Sequence, residues 1–105
     1  VSQIQKLQPD ESRLYDFQFE KNLGAGESLA SVVGVTQQLV DTSTTPPTLK
    51  PTTDLTLGVP TFSGTLAQVR VSDCVDGRRY KVEMTVTTSN SNTLQHEGFI
   101  QCKDF

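Results

Sequence analysis

Tyr80-Lys81-Val82-Glu83-Met84-Thr85-Val86 decides the architecture. Tyr80, Val82, Met84 and Val86 fall on one face, and Lys81, Glu83 and Thr85 on the other. That two-residue period belongs to a strand with one buried side, because successive side chains leave a pleated backbone in opposite directions. Upstream, Thr65 to Asp73 repeats the pattern with Ala67, Val69 and Val71 inward and Gln68, Arg70 and Ser72 outward. Asp76-Gly77 between these runs is a turn, since glycine reaches backbone angles closed to other residues.

Working outward, Tyr15, Phe17 and Phe19 alternate with Asp16, Gln18 and Glu20, giving another half-buried strand from Leu14. A glycine turn over Leu23 to Gly26 follows, and then a strand from Ser28 to about Thr36 with Leu29, Ser31, Val33 and Val35 expected on one face. Leu55 and Leu57 suggest a short edge strand, and Phe62 is expected to plug the end of the core. Ser89 to Asn92 turns the chain into a last strand in which Gly98, Ile100 and Cys102 share a face. Val1 to Ser12 reads as an arm, leaving 13-105 as one domain. Gln37 to Thr53, rich in Thr, Ser and Pro, reads as a long extended surface connection.

A chain of 105 residues fits one domain. Only 34% of its residues are hydrophobic and Trp is absent, so the core must be thin. Recurrent alternation without helical period points to an all-β antiparallel sandwich of about seven strands. The net charge of −3 leaves no cationic surface for phosphates, so no nucleic-acid partner is expected. No apolar run is long enough to span a membrane, and Val1-Ser2-Gln3 lacks the basic start of a secretory leader.

His96 has no nucleophile beside it and reads as an exposed strand residue; no catalytic residues, cofactor or metal are expected. Asp73 and Asp76 with Glu27 are the nearest approach to a calcium set, but the sequence supplies no further ligand and the aspartates suit turns. Cys74 and Cys102 lack metal spacing and read as reduced, buried thiols, with pairing the alternative. The row Tyr15, Phe17, Phe19 is core, or on a sharper reading an aromatic platform for sugars. Arg78-Arg79 is a solvated pair or meets an acidic neighbour in an assembly.

Tyr80, just after Asp76-Gly77 at the start of the penultimate strand, sits where immunoglobulin-like sandwiches place a tyrosine that folds back on the preceding turn. Val82 stands where an antibody domain has cysteine, which excludes that type. The succession Leu14-Tyr15-Asp16-Phe17-Gln18-Phe19, Leu23, Gly26-Glu27-Ser28-Leu29-Ala30-Ser31 resembles short tailed-bacteriophage virion proteins of the fibre-tail adaptor type. Thr61-Phe62, Ala67 to Ser72, Gly77 to Tyr80, Val82 and Val86-Thr87-Thr88 continue the likeness. Phe19 departs from it where Trp is expected, and Gln37 to Thr53 looks inserted.

The resemblance implies an immunoglobulin-like virion structural protein, assembled in the host bacterial cytoplasm, joining tail, neck or fibre parts. Its partners would be other virion proteins, with several copies or a homo-oligomer in the particle. Capsid decoration and a carbohydrate-binding adhesive module are the alternatives. Structural duty is expected of Tyr15, Phe17, Phe19, Val69, Val71, Tyr80, Val82 and Ile100. Partner contacts are expected of Ile4, Leu7, Leu49, Arg78 and Arg79, on the arm, the Thr/Pro segment and the basic pair.

Overall fold

The computed structural model describes residues 4–103 and is built almost entirely of strands. These are β1 (Ile4–Leu7), β2 (Ser12–Gln18), β3 (Leu29–Asp41), β4 (Thr48–Pro51), β5 (Thr56–Leu57), β6 (Thr61–Ser63), β7 (Leu66–Ser72), β8 (Arg79–Thr88) and β9 (Thr93–Cys102). One sheet runs β1-β9-β8-β3-β4 and the other β2-β7-β5, with β6 also on β7. All pairs are antiparallel except β1 with β9. The fold is thus an all-β two-sheet sandwich.

The alternating runs of β7 and β8 supply the centre. Ala67, Val69, Val71, Tyr80, Met84 and Val86 are wholly buried, with Val82 nearly so. Phe17, Phe19, Leu29, Leu55 and Ile100 join the same cluster. Fully burying a side chain such as Val or Leu contributes about 1.5–3 kcal/mol, so these two rows alone set the preferred register.

In β3 the expected face is corrected. Leu29 pairs with Thr88 but Ser31 with Thr87, and Val32 pairs with Val86 but Gly34 with Thr85, so Ala30 and Val33 are extra residues in two bulges. Each bulge flips the alternation. The inward set becomes Leu29, Val32 and Val35, while Val33 is 63% exposed.

The Thr/Pro-rich segment is also corrected. Gln37 to Asp41 continue β3, and β4 folds back on them with Leu39 opposite Lys50 and Val40 opposite Leu49. The turn between is held by the Asp41 carboxylate, which accepts from the Ser43 amide (2.9 Å) and hydroxyl (2.6 Å) and pairs with Lys50 (2.7 Å). A projecting hairpin therefore stands where an extended connection is predicted. Only Leu39 at its base packs against the core and β4 is exposed throughout, which is why its sequence carries no sustained hydrophobic alternation.

The arm is drawn into the sandwich as well. Ile4 to Leu7 run beside Phe99 to Cys102, and Leu7, expected as an apolar anchor for a partner, is wholly buried instead. Val1 to Gln3 of that arm lie outside the described residues. Phe62, expected in the core, is 41% exposed, because β6 pairs only at the margin of β7.

Cys74 and Cys102 form a disulfide, with Cα atoms 5.9 Å apart, which overturns the reduced reading. The cause is topological: Cys74 follows β7 and Cys102 ends β9, so the bridge crosses from one sheet's last strand residues to the other's. With the cysteines 28 positions apart in sequence, the chain-entropy argument gives roughly 3–4 kcal/mol of stabilisation. Thiol titration of denatured, unreduced protein should therefore find no thiols and two after reduction, with reduced protein less stable by about that amount.

Candidate docking surface

Polar ties fix the ends of the sandwich. The Tyr80 hydroxyl accepts from the Val75 amide at 3.1 Å, folding back over the Asp76-Gly77 turn, and donates to Asp54 Oδ2 at 2.8 Å. Arg78 Nη1 meets the same oxygen at 2.7 Å. Asp54 lies on the approach to β5, so strand β8 is tied to the opposite sheet. Arg78's guanidinium, and then the Tyr80 hydroxyl, hold the Asp54 carboxyl below the usual range, while burial raises the Tyr80 phenol. Nearby, the Gln37 side-chain amide both donates to the Leu55 carbonyl and accepts from its N–H, each at 2.9 Å. An inward-facing polar residue thus stands in for a strand partner and leaves no amide group unpaired.

At the other end, Glu27 is nearly buried and its carboxylate accepts from Thr88 Oγ1, from the Gly24 amide (2.8 Å) and from Asn92 Nδ2 (2.8 Å). The Thr88 hydroxyl is the largest influence holding its pKa down. Glu27 therefore clamps the glycine turn to the β8–β9 hairpin. Asp73 accepts from the Thr56 hydroxyl. Among the described residues, no three His, Cys, Asp or Glu side chains gather as metal ligands.

The residues singled out in the sequence do not form one site. Tyr15 is half-buried, and its hydroxyl donates to the Lys6 carbonyl at 3.1 Å. Phe17, Phe19, Val69, Val71, Tyr80, Val82 and Ile100 belong to the core. Phe19 lies beyond β2, with its ring centroid 5.0 Å from that of His96, which is half-buried and not the exposed residue expected. Ile4 is opposite Phe99 in β1, and Leu49 sits 44% exposed on the hairpin. Arg78 and Arg79 divide, Arg78 to Asp54 and Arg79 Nε to Gln101 Oε1 at 3.1 Å, so they are not a paired basic patch.

What sequence reasoning missed is an open side. A groove of about 810 Å³ runs between β2 and the middle of β9, Gln95 to Ile100, with Val82 and Glu83 also lining it. Phe17 forms part of its wall, its ring edge 3.6 Å from where a Cβ on Gly98 would sit. Pairing phase shows which backbone groups face it. Phe19 N–H donates to the Thr65 carbonyl and Gly58 N–H to the Arg70 carbonyl, so Phe17 and Tyr15 bond to β7 while Leu14 and Asp16 turn theirs outward. No hydrogen bond satisfies the Leu14 and Asp16 backbone groups among the described residues.

An open strand edge, a projecting hairpin and scattered exposed apolar side chains are the surface features of a protein-docking module. The chain belongs to the family described as podophage GP4 fiber-tail adaptor protein gp77, whose model matches residues 7–101. Membership makes it a phage structural component of the adaptor class, which binds other virion proteins. Nothing among curated proteins matches it significantly.

Two outcomes follow from the end ties. Tyr80→Phe leaves the Val75 amide and Asp54 each short of a partner, and should cost roughly 1–3 kcal/mol in denaturant unfolding; an unchanged midpoint would show that the ring only packs. Glu27 has a folded pKa below its unfolded one, so its contribution is full above the unfolded value and is lost as pH falls through the folded value. Thermal melts should therefore show Glu27→Gln less stable at neutral pH and with a shallower loss below about pH 4.5 than wild type.

Proposed function

We propose that the chain is a non-enzymatic, cofactor-free virion adaptor that joins tail, neck or fibre parts through protein contacts. The family match across nearly the whole described sandwich carries this reading. The strand order supports an immunoglobulin-like sandwich: β9-β8-β3 with β4 beside it, facing β2-β7-β5, corresponds to the two sheets of that architecture. Burial of Phe17, Phe19 and Tyr80 favours protein contacts over a sugar-stacking platform, because those rings are spent on the core.

The β3–β4 hairpin, with Leu49 and the exposed turn from Thr42 to Pro47, is one contact element. Its Asp41-centred hydrogen bonds hold it extended before docking, which lowers the ordering cost of association. In the infected bacterium, assembly takes place in the cytoplasm, and several copies enter each particle.

Particles produced without this chain should carry filled heads but lack attached fibres in electron micrographs, and complementation should restore both the chain and the fibres. Fibres attached at normal occupancy in its absence would contradict the adaptor reading. Replacing Thr42 to Pro47 by a two-residue Asn-Gly turn should leave the fold intact and reduce incorporation several-fold, measured by mass spectrometry of purified particles.

A further inference from the structure

The sequence carries two cysteines, and the structure joins them across the two sheets of a domain that, as an adaptor, is assembled in a bacterial cytoplasm. That compartment keeps thiols reduced through its glutathione and thioredoxin pools. A bridge that closes only after the chain has left the compartment reconciles the two.

We infer, given the adaptor reading of where assembly happens, that Cys74–Cys102 is a maturation lock: the chain folds and enters particles as a dithiol, and the bridge closes after the cell lyses. Both cysteine segments are held without the sulfur bond. Cys102 N–H donates to the Arg78 carbonyl (2.9 Å), and the Cys102 carbonyl accepts from Gly77 N–H (2.9 Å). Lys103 N–H donates to the Leu7 carbonyl (3.1 Å), and Val75 N–H, next to Cys74, donates to the Tyr80 hydroxyl (3.1 Å). Cys74 Sγ lies 3.7 Å from the Leu7 carbonyl oxygen, within reach of a weak S–H···O bond once it is a thiol. Both side chains also sit in the core cluster, where a free cysteine packs as a small apolar group. A disulfide acts mainly on the unfolded chain, so closing it leaves docked surfaces where they are.

The same surroundings make this a one-way lock and not a redox sensor. Sensor cysteines are partly exposed and lie in electropositive settings that favour the thiolate. Here Cys102 is wholly buried and Cys74 is 5% exposed, both among apolar side chains, so the closed bridge is shielded from thiols in solution. Cys74 is the sulfur reached first. It stands in the link between β7 and β8, beside the exposed Val75, whereas Cys102 ends a paired strand.

The oxidant is a low-molecular-weight disulfide, formed when air oxidises thiols spilled from the lysed cell. Cys74 loses its proton to water, and its thiolate attacks one sulfur of that disulfide, expelling a thiolate and leaving a mixed disulfide on Cys74. Cys102 then loses its proton and attacks Cys74 Sγ, forming the bridge and expelling the second thiolate. Two electrons pass from the cysteines to the small disulfide, and the two protons end on the expelled thiols. The backbone ties hold the Cα atoms near their 5.9 Å separation, inside the span a bridge requires, so the second step needs no rearrangement of the strands.

To test the timing, infected cells precipitated in acid before lysis, and particles collected after lysis in air, would be alkylated in denaturant with N-ethylmaleimide and the chain weighed by mass spectrometry. Chain in intracellular particles should carry a label on both cysteines, and chain in released particles on neither. In solution, reduced wild-type chain should keep the strand-rich circular dichroism of the bridged form and melt about 10–20 °C lower. Oxidised glutathione should then close it, releasing one glutathione thiol for each cysteine. Intracellular particles whose chain is already bridged, released particles that keep both thiols, or reduced chain that unfolds at the growth temperature or stays open in oxidised glutathione would each overturn the proposal. Those results leave fibre attachment as the separate test of the adaptor reading, whereas fibres attached without the chain would remove that reading and the expected dithiol stage with it.

Discussion

Two rows of side chains carry the structure: Ala67, Val69 and Val71 from β7, and Tyr80, Val82, Met84 and Val86 from β8. They lie on different sheets and form the middle of one buried cluster. A single-residue slip in either strand would exchange this row for Gln68, Arg70 and Ser72, or for Lys81, Glu83 and Thr85, and so is strongly disfavoured. Every other strand takes its place relative to these two. β2 and β5 flank β7, and β3 and β9 flank β8, so the sheet order follows from one packed contact and its neighbours.

A core this thin leaves the ends of the sandwich to other forces. At one end the Cys74–Cys102 bridge, the Tyr80 hydroxyl with Asp54 and Arg78, and the Gln37 amide on Leu55 all connect one sheet to the other. Glu27 closes the opposite end through Thr88 and Asn92. These ties are directional where hydrophobic contact is not, so they set the relative placement of the sheets. With both ends fastened, the long side along β2 and β9 stays open without loosening the domain. A rigid body with an open strand edge and a projecting hairpin suits a structural adaptor.

The strands with one buried face were legible because burial writes itself as alternation. Ala67 to Val71 and Tyr80 to Val86 read correctly for that reason, as did the turns at Asp76-Gly77 and Ser89 to Asn92. Alternation fails where geometry departs from a flat pleat. Ala30 and Val33 are extra residues in β3, and the inward spacing there becomes three instead of two, so a reading that assumes period two puts Val33 inside. It fails also where little is buried, as in the hairpin from Gln38 to Pro51, where only Leu39 packs on the core and the Thr and Ser content resembles a loop. The disulfide and the Gln37 bridge join residues that only the topology brings together, and no spacing rule encodes them. The open edge of β2 was invisible for a related reason: which backbone groups point outward depends on pairing phase, not on residue type. Family resemblance read from fold-bearing residues was legible, and the match over residues 7–101 agrees with it.

The account holds that a cross-tied sandwich leaves the β2 edge unsatisfied, and residue-resolved amide exchange on the unbound chain measures that directly. Amides of Val69, Val82 and Met84 should exchange only through global unfolding, Tyr15 and Phe17 should be protected by their bonds to β7, and Leu14 and Asp16 should exchange near the rate of unstructured peptide. Protection at Leu14 and Asp16 equal to that of Tyr15 and Phe17 would mean the edge is already occupied, and would contradict the account.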